Sequence, residues 1–372
     1  QKTAYEIVDC DWSSDVCSSD LHGAEKVLVL DPKNVGIYLD LSRAYFFSND
    51  RTSAENTLHE GLTANPHSTE IMLAMGDFHL STGRPELAET SFKNVIETTP
   101  DSETAQLRLA SFYQRRNQLA EAEATLQKWA SGYPKSERPH IHLGDLFNWL
   151  GNRDKAIASY RQATELNASS VVARDKLISL YLDTGNLSEA EPKVKAILNK
   201  NSGDLIGRFF SARILLAKES LDEALTLFQS LLKDEPQFAP AYYFQGVAHM
   251  KKRQPSQARG AFTQAVKLNP SMPEAHTSLA ELLLAESSLD LALEHAQAAI
   301  QLNPRNLQAA VIAGDAYLRK GDLAKSKKVY EAIVKALPKE PLGPYRLGLV
   351  AHVEKKDRKS TRLNSSHSQQ SR

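Results

Sequence analysis

The sequence predicts an all-α fold, an α-solenoid of stacked helix-turn-helix pairs, and three observations predict it. Prolines recur at Pro32, Pro66, Pro100 and Pro134 and again at Pro236, Pro270, Pro304 and Pro338, every interval being 34 residues or a multiple of it. A column of small residues keeps the same period: Ala54, Ala88, Ala122, Ala156, Ala190, Ala224, Ala258 and Ala292, completed by Ser326. Within each period apolar residues lie three and four apart in both halves, the pattern of two amphipathic helices.

One period, LQAAVIAGDAYLRKGDLAKSKKVYEAIVKALP at 307–338, shows how each element is specified. The first helix ends at Lys320-Gly321, where glycine suits the left-handed conformation that closes a helix, and Asp322 can cap the second helix. The same punctuation stands at Gly83, Gly151-Asn152 and Gly185-Asn186. The proline follows the second helix and ends it, having no N–H to continue the ladder. A third column is small, at Ser42, Gly76, Ala110, Gly144, Gly246, Ala280, Gly314 and Gly348, with Ile178 as its exception; a fourth is often aromatic, at Tyr45, Tyr113, Phe147, Tyr181 and Tyr317. Small positions let neighbouring helices approach, and aromatics fill the space beside them. A single pair cannot bury its apolar face, so the stacked array is the folding unit. Residues 35–340 hold nine such periods without insertion, preceded at 22–34 by the second helix of a truncated repeat and followed at 341–356 by the first helix of another.

A small residue at position eight of the period, an aromatic at eleven, Ala at twenty, an aromatic or Leu at twenty-four and Pro at thirty-two together resemble the tetratricopeptide repeat. The resemblance covers residues 22–356 and implies a right-handed superhelix. Departures concentrate in the fifth and sixth periods, about 171–238, where Ile178 replaces the small residue, Pro192 sits early in a second helix and Ser202 replaces the proline. Sequence drift accounts for them more simply than a bend or local looseness.

Composition agrees with a folded, water-compatible chain: of 372 residues, 41% are hydrophobic and 24% charged. Basic and acidic residues balance at 45 each, so no global field draws nucleic acid or an anionic membrane. No apolar run reaches the roughly 18 residues of a transmembrane span.

The two ends do not follow the period. Residues 1–21, QKTAYEIVDCDWSSDVCSSDL, hold both cysteines, Cys10 and Cys17; residues 357–372 read DRKSTRLNSSHSQQSR. One choice of codons for the first stretch has a reverse complement that translates to the second, residue for residue. Protein evolution has no reason to make one terminus antisense to the other, and the DNA resembles a sequencing-library adapter. Both ends are therefore expected to be non-native, adapter-derived tails, to be set aside before fold reasoning. Between them no cysteine remains, and 40 basic residues face 39 acidic ones. On this reading the native chain continues past both boundaries.

Chemistry-bearing motifs are sparse. No phosphate-binding glycine loop, dinucleotide fingerprint, nucleophile elbow or paired zinc-ligand motif is present. His140 and His142 lie two apart, which on a helix points them to different faces, and a surface or packing role is favoured over metal binding. Asn167-Ala-Ser and Asn186-Leu-Ser match a glycosylation acceptor, a triplet that chance supplies often. Lys251-Lys252-Arg253 ends a first helix, where cations complement the helix dipole. No catalytic residue, metal or cofactor is expected.

The resemblance implies that first helices line a concave groove and that positions two, five, nine and twelve usually meet a ligand. Carried onto this chain, the candidate peptide-binding residues are Leu39, Arg43, Leu73, Asp77, Leu107, Ile141, Asp145, Phe209, Arg213, Tyr243, Val247, Glu281 and Asp315. Each either meets a ligand or packs on the neighbouring repeat. An apolar floor with scattered charges suits an extended or helical peptide with hydrophobic anchors, and Phe209, Phe210, Tyr242, Tyr243 and Phe244 form the densest aromatic cluster. A clamp for a free C-terminal carboxylate, known in some members, is disfavoured because the ninth-position column lacks Asn.

The function this implies is a non-enzymatic scaffold or adaptor binding a peptide or protein segment. The long array also resembles bacterial repeat proteins of envelope assembly and exopolysaccharide export, including those found with exosortase systems. An alternative is the substrate-recognition or regulatory region of a larger enzyme, such as a glycosyltransferase. Self-association through half-repeats is a third reading. Ligand identity and compartment, cytoplasmic or envelope-associated, are not encoded in these patterns.

Overall fold

The computed structural model describes residue 24, residues 26–338 and residues 340–355. The expected tails, 1–21 and 357–372, lie outside the described residues. Among the described residues every regular element is a helix, and no strand occurs. In order the helices are α1 (26–30), α2 (Val35–Phe47), α3 (Arg51–Ala64), α4 (Thr69–Ser81), α5 (Pro85–Thr98), α6 (Glu103–Arg115), α7 (Leu119–Gly132), α8 (Arg138–Trp149), α9 (Arg153–Leu166), α10 (Val171–Asp183) and α11 (Leu187–Lys200). They continue as α12 (Leu205–Ala217), α13 (Leu221–Asp234), α14 (Ala239–Lys251), α15 (Pro255–Leu268), α16 (Pro273–Ala285), α17 (Leu289–Leu302), α18 (Leu307–Arg319), α19 (Leu323–Ala336) and α20 (342–355). From α2 onward, even-numbered helices are first helices of a repeat and odd-numbered ones are second helices.

Local sequence sets the boundaries. Asn34, Ser68, Ser102, Asp204 and Asn306 each accept a hydrogen bond from the backbone N–H three residues on, capping the first helix of their repeat. Asp50, Asn152 and Asp322 do the same for second helices. Asn186 does not: its amide donates to Thr184 Oγ1 at 3.0 Å, and α11 starts without a side-chain cap.

The turn between the two helices of a repeat is more uniform than the glycines suggest. Positive φ values of 58° to 78° occur at Asn49, Gly83, Asn117, Gly151, Gly185, Glu219, Arg253, Ser287 and Gly321, one every 34 residues. The register of the array imposes this conformation even where the residue has a Cβ, at a local cost of about 1–2 kcal/mol. Ser287→Gly is therefore expected to raise the unfolding free energy by up to about 1.5 kcal/mol, the relief of strain less glycine's own entropy cost of about 0.5–1 kcal/mol. Gly321→Ala should move the urea midpoint the other way.

Packing follows the columns. Every residue of the alanine column from Ala54 to Ala292, and Ser326 with them, is fully buried. Opposite it, the small residues of first helices abut the position-twenty-four residue of the same repeat. A Cβ built on Gly76 would lie 2.3 Å from the Phe92 ring; on Gly144, 2.4 Å from Tyr160; on Gly246, 2.5 Å from Phe262; and on Gly314, 2.6 Å from Tyr330. Position eight is glycine in these repeats because an aromatic edge occupies the space a side chain would need. Elsewhere size is redistributed along the sequence, with Ala110 and Leu126 in the third repeat and Ile178 and Val194 at the same two positions of the fifth.

Contacts divide the chain into two compact units, Gln1–Leu180 and Tyr181–Arg372, the division falling inside α10. In the first, each helix from α2 to α9 packs on the next; in the second, α11 to α19 do the same. The sequence irregularities have local consequences. Pro192 lies within α11, which continues through it. Beside it an open cavity of about 410 Å³ is lined by Pro192, Val194, Leu198, Ile214 and Leu215. Leu215 occupies the position that is aromatic in several other repeats, and the smaller side chain leaves that space unfilled.

Candidate binding face

First helices present positions two, five, nine and twelve on one face, because these residues lie three and four apart. In the first compact unit, Arg43 and Asp77 are exposed there; Leu39, Leu107 and Asp145 are half-buried; Leu73 and Ile141 are buried. In the second, Glu281 is exposed, Tyr243, Val247 and Asp315 are half-buried, and Phe209 and Arg213 are buried. The candidates thus share one register but not one role. Leu73, Ile141, Phe209 and Arg213 have nearly all their surface against the neighbouring helices.

The ninth position also carries a recurring contact between repeats. Asp77 pairs with Arg108, Asp145 with Lys176 at 2.7 Å and Asp315 with Arg346 at 3.0 Å, each partner thirty-one residues on, at position six of the next repeat. In two of these repeats the same Asp accepts the hydroxyl of the position-twenty-four tyrosine, Tyr160 on Asp145 and Tyr330 on Asp315, both at 2.6 Å. Burial and then the carboxylate charge raise the Tyr160 hydroxyl far above its ordinary pKa, so it stays a donor. These aspartates therefore tie two helices of one repeat to the next. Columns of complementary charge at a separation of thirty-one are visible in the sequence, and tabulating charge as well as size would have found them.

Arg213 keeps the same register with different chemistry. Its guanidinium is 5% exposed, donates to Asp183 Oδ1 at 2.6 Å and lies 4.3 Å from the ring centroid of Phe244, the residue thirty-one on. Burial pulls its pKa down, opposed by Asp183. Around it Phe209 meets Phe210, Phe228, Phe238 and Phe244 at centroid distances of 5.1–6.3 Å. The aromatic cluster is thus largely a core with an arginine through it. Tyr243 stands at its edge, 4.9 Å from Phe244 and 5.8 Å from Phe262, so its ring is shared between core and surface. Lys251 and Lys252, at the end of the same helix, pair with Glu219 and Asp222 of the preceding repeat, and Arg253 occupies the left-handed turn.

In the first unit a polar network surrounds His142. Its ring stacks on Trp129 at 5.9 Å, its Nε2 lies 2.8 Å from Glu103 Oε1 and its Nδ1 3.6 Å from Asp145 Oδ2. Trp129 Nε1 donates to Asp101 at 3.0 Å, and Arg138 reaches both Asp101 and Glu103. Burial alone would lower the His142 pKa; hydrogen bonds to Asp145 and Glu103 outweigh it, and the net shift is upward. The proton is held more tightly than in the unfolded chain, where imidazole titrates near about 6.5. The stabilisation is thus complete below that pH and is lost as pH rises through the raised folded value. Relative to His142→Gln, the native chain should lose urea resistance across that interval; parallel pH profiles would remove His142 as the cause. The sequence pattern sets His142 apart from metal sites without revealing this network, because Glu103 and Trp129 come from the preceding repeat. Among the described residues no group of three or more His, Cys, Asp or Glu is placed to hold a metal, and no helix is long and apolar enough to cross a membrane.

Three models described as tetratricopeptide repeat match the chain, one at 39–103, 176–242, 209–254, 243–306 and 289–341, a second at 79–143 and a third at 138–170. Among curated proteins, the chain is 25% identical over 222 residues to protein O-mannosyl-transferase TMTC1 of Homo sapiens, covering 58% of this chain and 25% of that one. It is likewise 25% identical over 224 residues to protein O-mannosyl-transferase TMTC3 of Homo sapiens, covering 59% and 24%. The chain spans about a quarter of the length of these relatives. Among solved structures, a tetratricopeptide repeat protein from Parabacteroides merdae aligns with TM-score 0.52 at 18% identity over 67% of this chain and 98% of that one. Yeast Tom70 aligns with TM-score 0.53 at 11% identity over 91% and 92%. These likenesses establish the fold; none speaks for the envelope association that the array's texture suggests.

Proposed function

Because the chain belongs to the tetratricopeptide repeat family, we propose that it is a protein-interaction scaffold holding a peptide or protein segment against the first-helix face of its repeats, without chemistry of its own. The observation that carries this reading is the composition of that face in the second unit. Half-buried Tyr243 and Val247 and 40%-exposed Met250 offer apolar surface on α14, and exposed Glu274 and Glu281 border it on α16. Apolar anchors with a polar border are what a bound segment uses. The second helices expose chiefly polar side chains with isolated apolar ones, such as Leu87 and Leu291. A photoreactive residue at Val247 should capture the partner, whereas the same residue at Leu291 should not. Equal capture, or capture at Leu291 alone, contradicts the reading.

A second reading is favoured by the names of the curated relatives: the chain is the substrate-recognition or regulatory repeat region of a larger enzyme, such as a glycosyltransferase. Recovering the intact reading frame separates the two. A catalytic domain on the same chain supports the second reading, and further repeats support the first.

A further inference from the structure

We infer that the segment bound on α14 and α16 is cationic, presenting Arg or Lys beside a large apolar side chain; this rests on the scaffold reading above. One of the four repeats with an acidic ninth residue breaks a pattern that the other three keep. Wherever the ninth position is Asp, a basic residue thirty-one positions on neutralises it: Arg108 for Asp77, Lys176 for Asp145, Arg346 for Asp315. In the repeat that begins at 273 the ninth residue is Glu281, and thirty-one positions on stands Ile312, a buried core residue. Among the described residues, the Glu281 carboxylate makes no ion pair and accepts only the neutral Gln308 amide, at 2.9 Å.

A second carboxylate lies on the same helix face two turns away, about 10 Å along the axis. Glu274 is exposed and makes no hydrogen bond or ion pair among the described residues. It stands close enough to Tyr243 that, after burial, its charge helps raise the tyrosine hydroxyl's pKa. Neither neighbouring cation pairs with these carboxylates among the described residues: Lys251 pairs with Glu219 at 3.5 Å, and Arg319 donates to the Leu284 carbonyl at 2.8 Å. The face therefore keeps two carboxylates without an ion pair, among the described residues, beside apolar surface. Tyr243 and Val247 pack against the core that contains Leu279, Ala280 and Leu283 of α16, so the apolar anchors and the carboxylates border one surface.

A carboxylate next to apolar surface is poorly solvated once a ligand covers it, unless the ligand supplies a cation. An acidic segment would be repelled, and a purely apolar one would strand both carboxylates. A basic residue answers Glu281 or Glu274 while its apolar neighbour rests on Tyr243, Val247 and Met250.

The test is selection of displayed random twelve-residue peptides on the full chain, with the best peptides titrated against wild type and the E274Q/E281Q variant. Both substitutions are at exposed sites, and circular dichroism checks that the variant stays folded. Enrichment of Arg or Lys next to large apolar residues is expected. Their affinity should fall at least tenfold on E274Q/E281Q and weaken as salt rises. Peptides that bind with no basic excess, or equally to both proteins, overturn the charge inference and leave the scaffold reading standing. Failure of every peptide to bind overturns both.

Discussion

Phe92→Ala is expected to lower the unfolding free energy by about 3–5 kcal/mol, the range for removing a large aromatic from a close-packed core. Phe92 is fully buried, and its ring edge occupies the space that the absent side chain of Gly76 leaves. The converse change is also costly: Gly76→Ala puts a methyl group 2.3 Å from Phe92 Cε1, and overpacking of this kind costs about 1–3 kcal/mol. The pairing predicts non-additivity. Gly76→Ala combined with Phe92→Leu recreates the Ala110 and Leu126 combination that the next repeat carries at the same two positions. The double variant should therefore lose less than the sum of the separate Gly76→Ala and Phe92→Leu losses. Urea titrations followed by circular dichroism would read all three variants, and strict additivity would show that the two positions do not share one space.

Asp183→Ala should cost about 1.5–3 kcal/mol, the range for losing a hydrogen bond between charged groups when one partner is partly exposed. The guanidinium that loses this carboxylate is 5% exposed, while the carboxylate itself is 43% exposed, so the cost falls on the arginine. The sign reverses at the other partner. Arg213→Met removes the buried charge together with its desolvation cost, fills much of the same volume among Phe209, Phe210 and Phe244, and is expected to be neutral or stabilising by about 1–4 kcal/mol. Thermal melts of the two variants in parallel distinguish this from a conventional stabilising salt bridge, for which both substitutions would destabilise equally. Because Arg213 is buried, its replacement should leave capture at Val247 unchanged.

The repeat was legible because 34-residue periodicity is a property of the sequence itself. Ala54 through Ala292 and Ser326 are as buried as their column implies, and the glycines of the third column sit against aromatics. The left-handed turn is legible in the sequence only where glycine marks it. At Glu219, Arg253 and Ser287 the conformation is imposed by the helices on either side, and no local residue preference announces it. Contacts between repeats were the least legible. Tyr38, Gln106 and His276 all reach the carbonyl of the preceding proline, at 3.0–3.1 Å, from the same position with three unlike side chains. A column of residue types hides such a shared geometry. The candidate face showed both limits: position numbers identified which residues share it, but not that Arg213 is enclosed by rings or that Asp145 and Asp315 already have partners.

A crystal structure of the chain with a selected peptide would decide whether the first-helix face is the binding surface. Peptide density is expected along α14 and α16, with a basic side chain at Glu281 or Glu274 and an apolar one against Tyr243 and Val247. Density seated on the second helices α15 and α17, with the first-helix face uncovered, would show that the repeats bind from the other side.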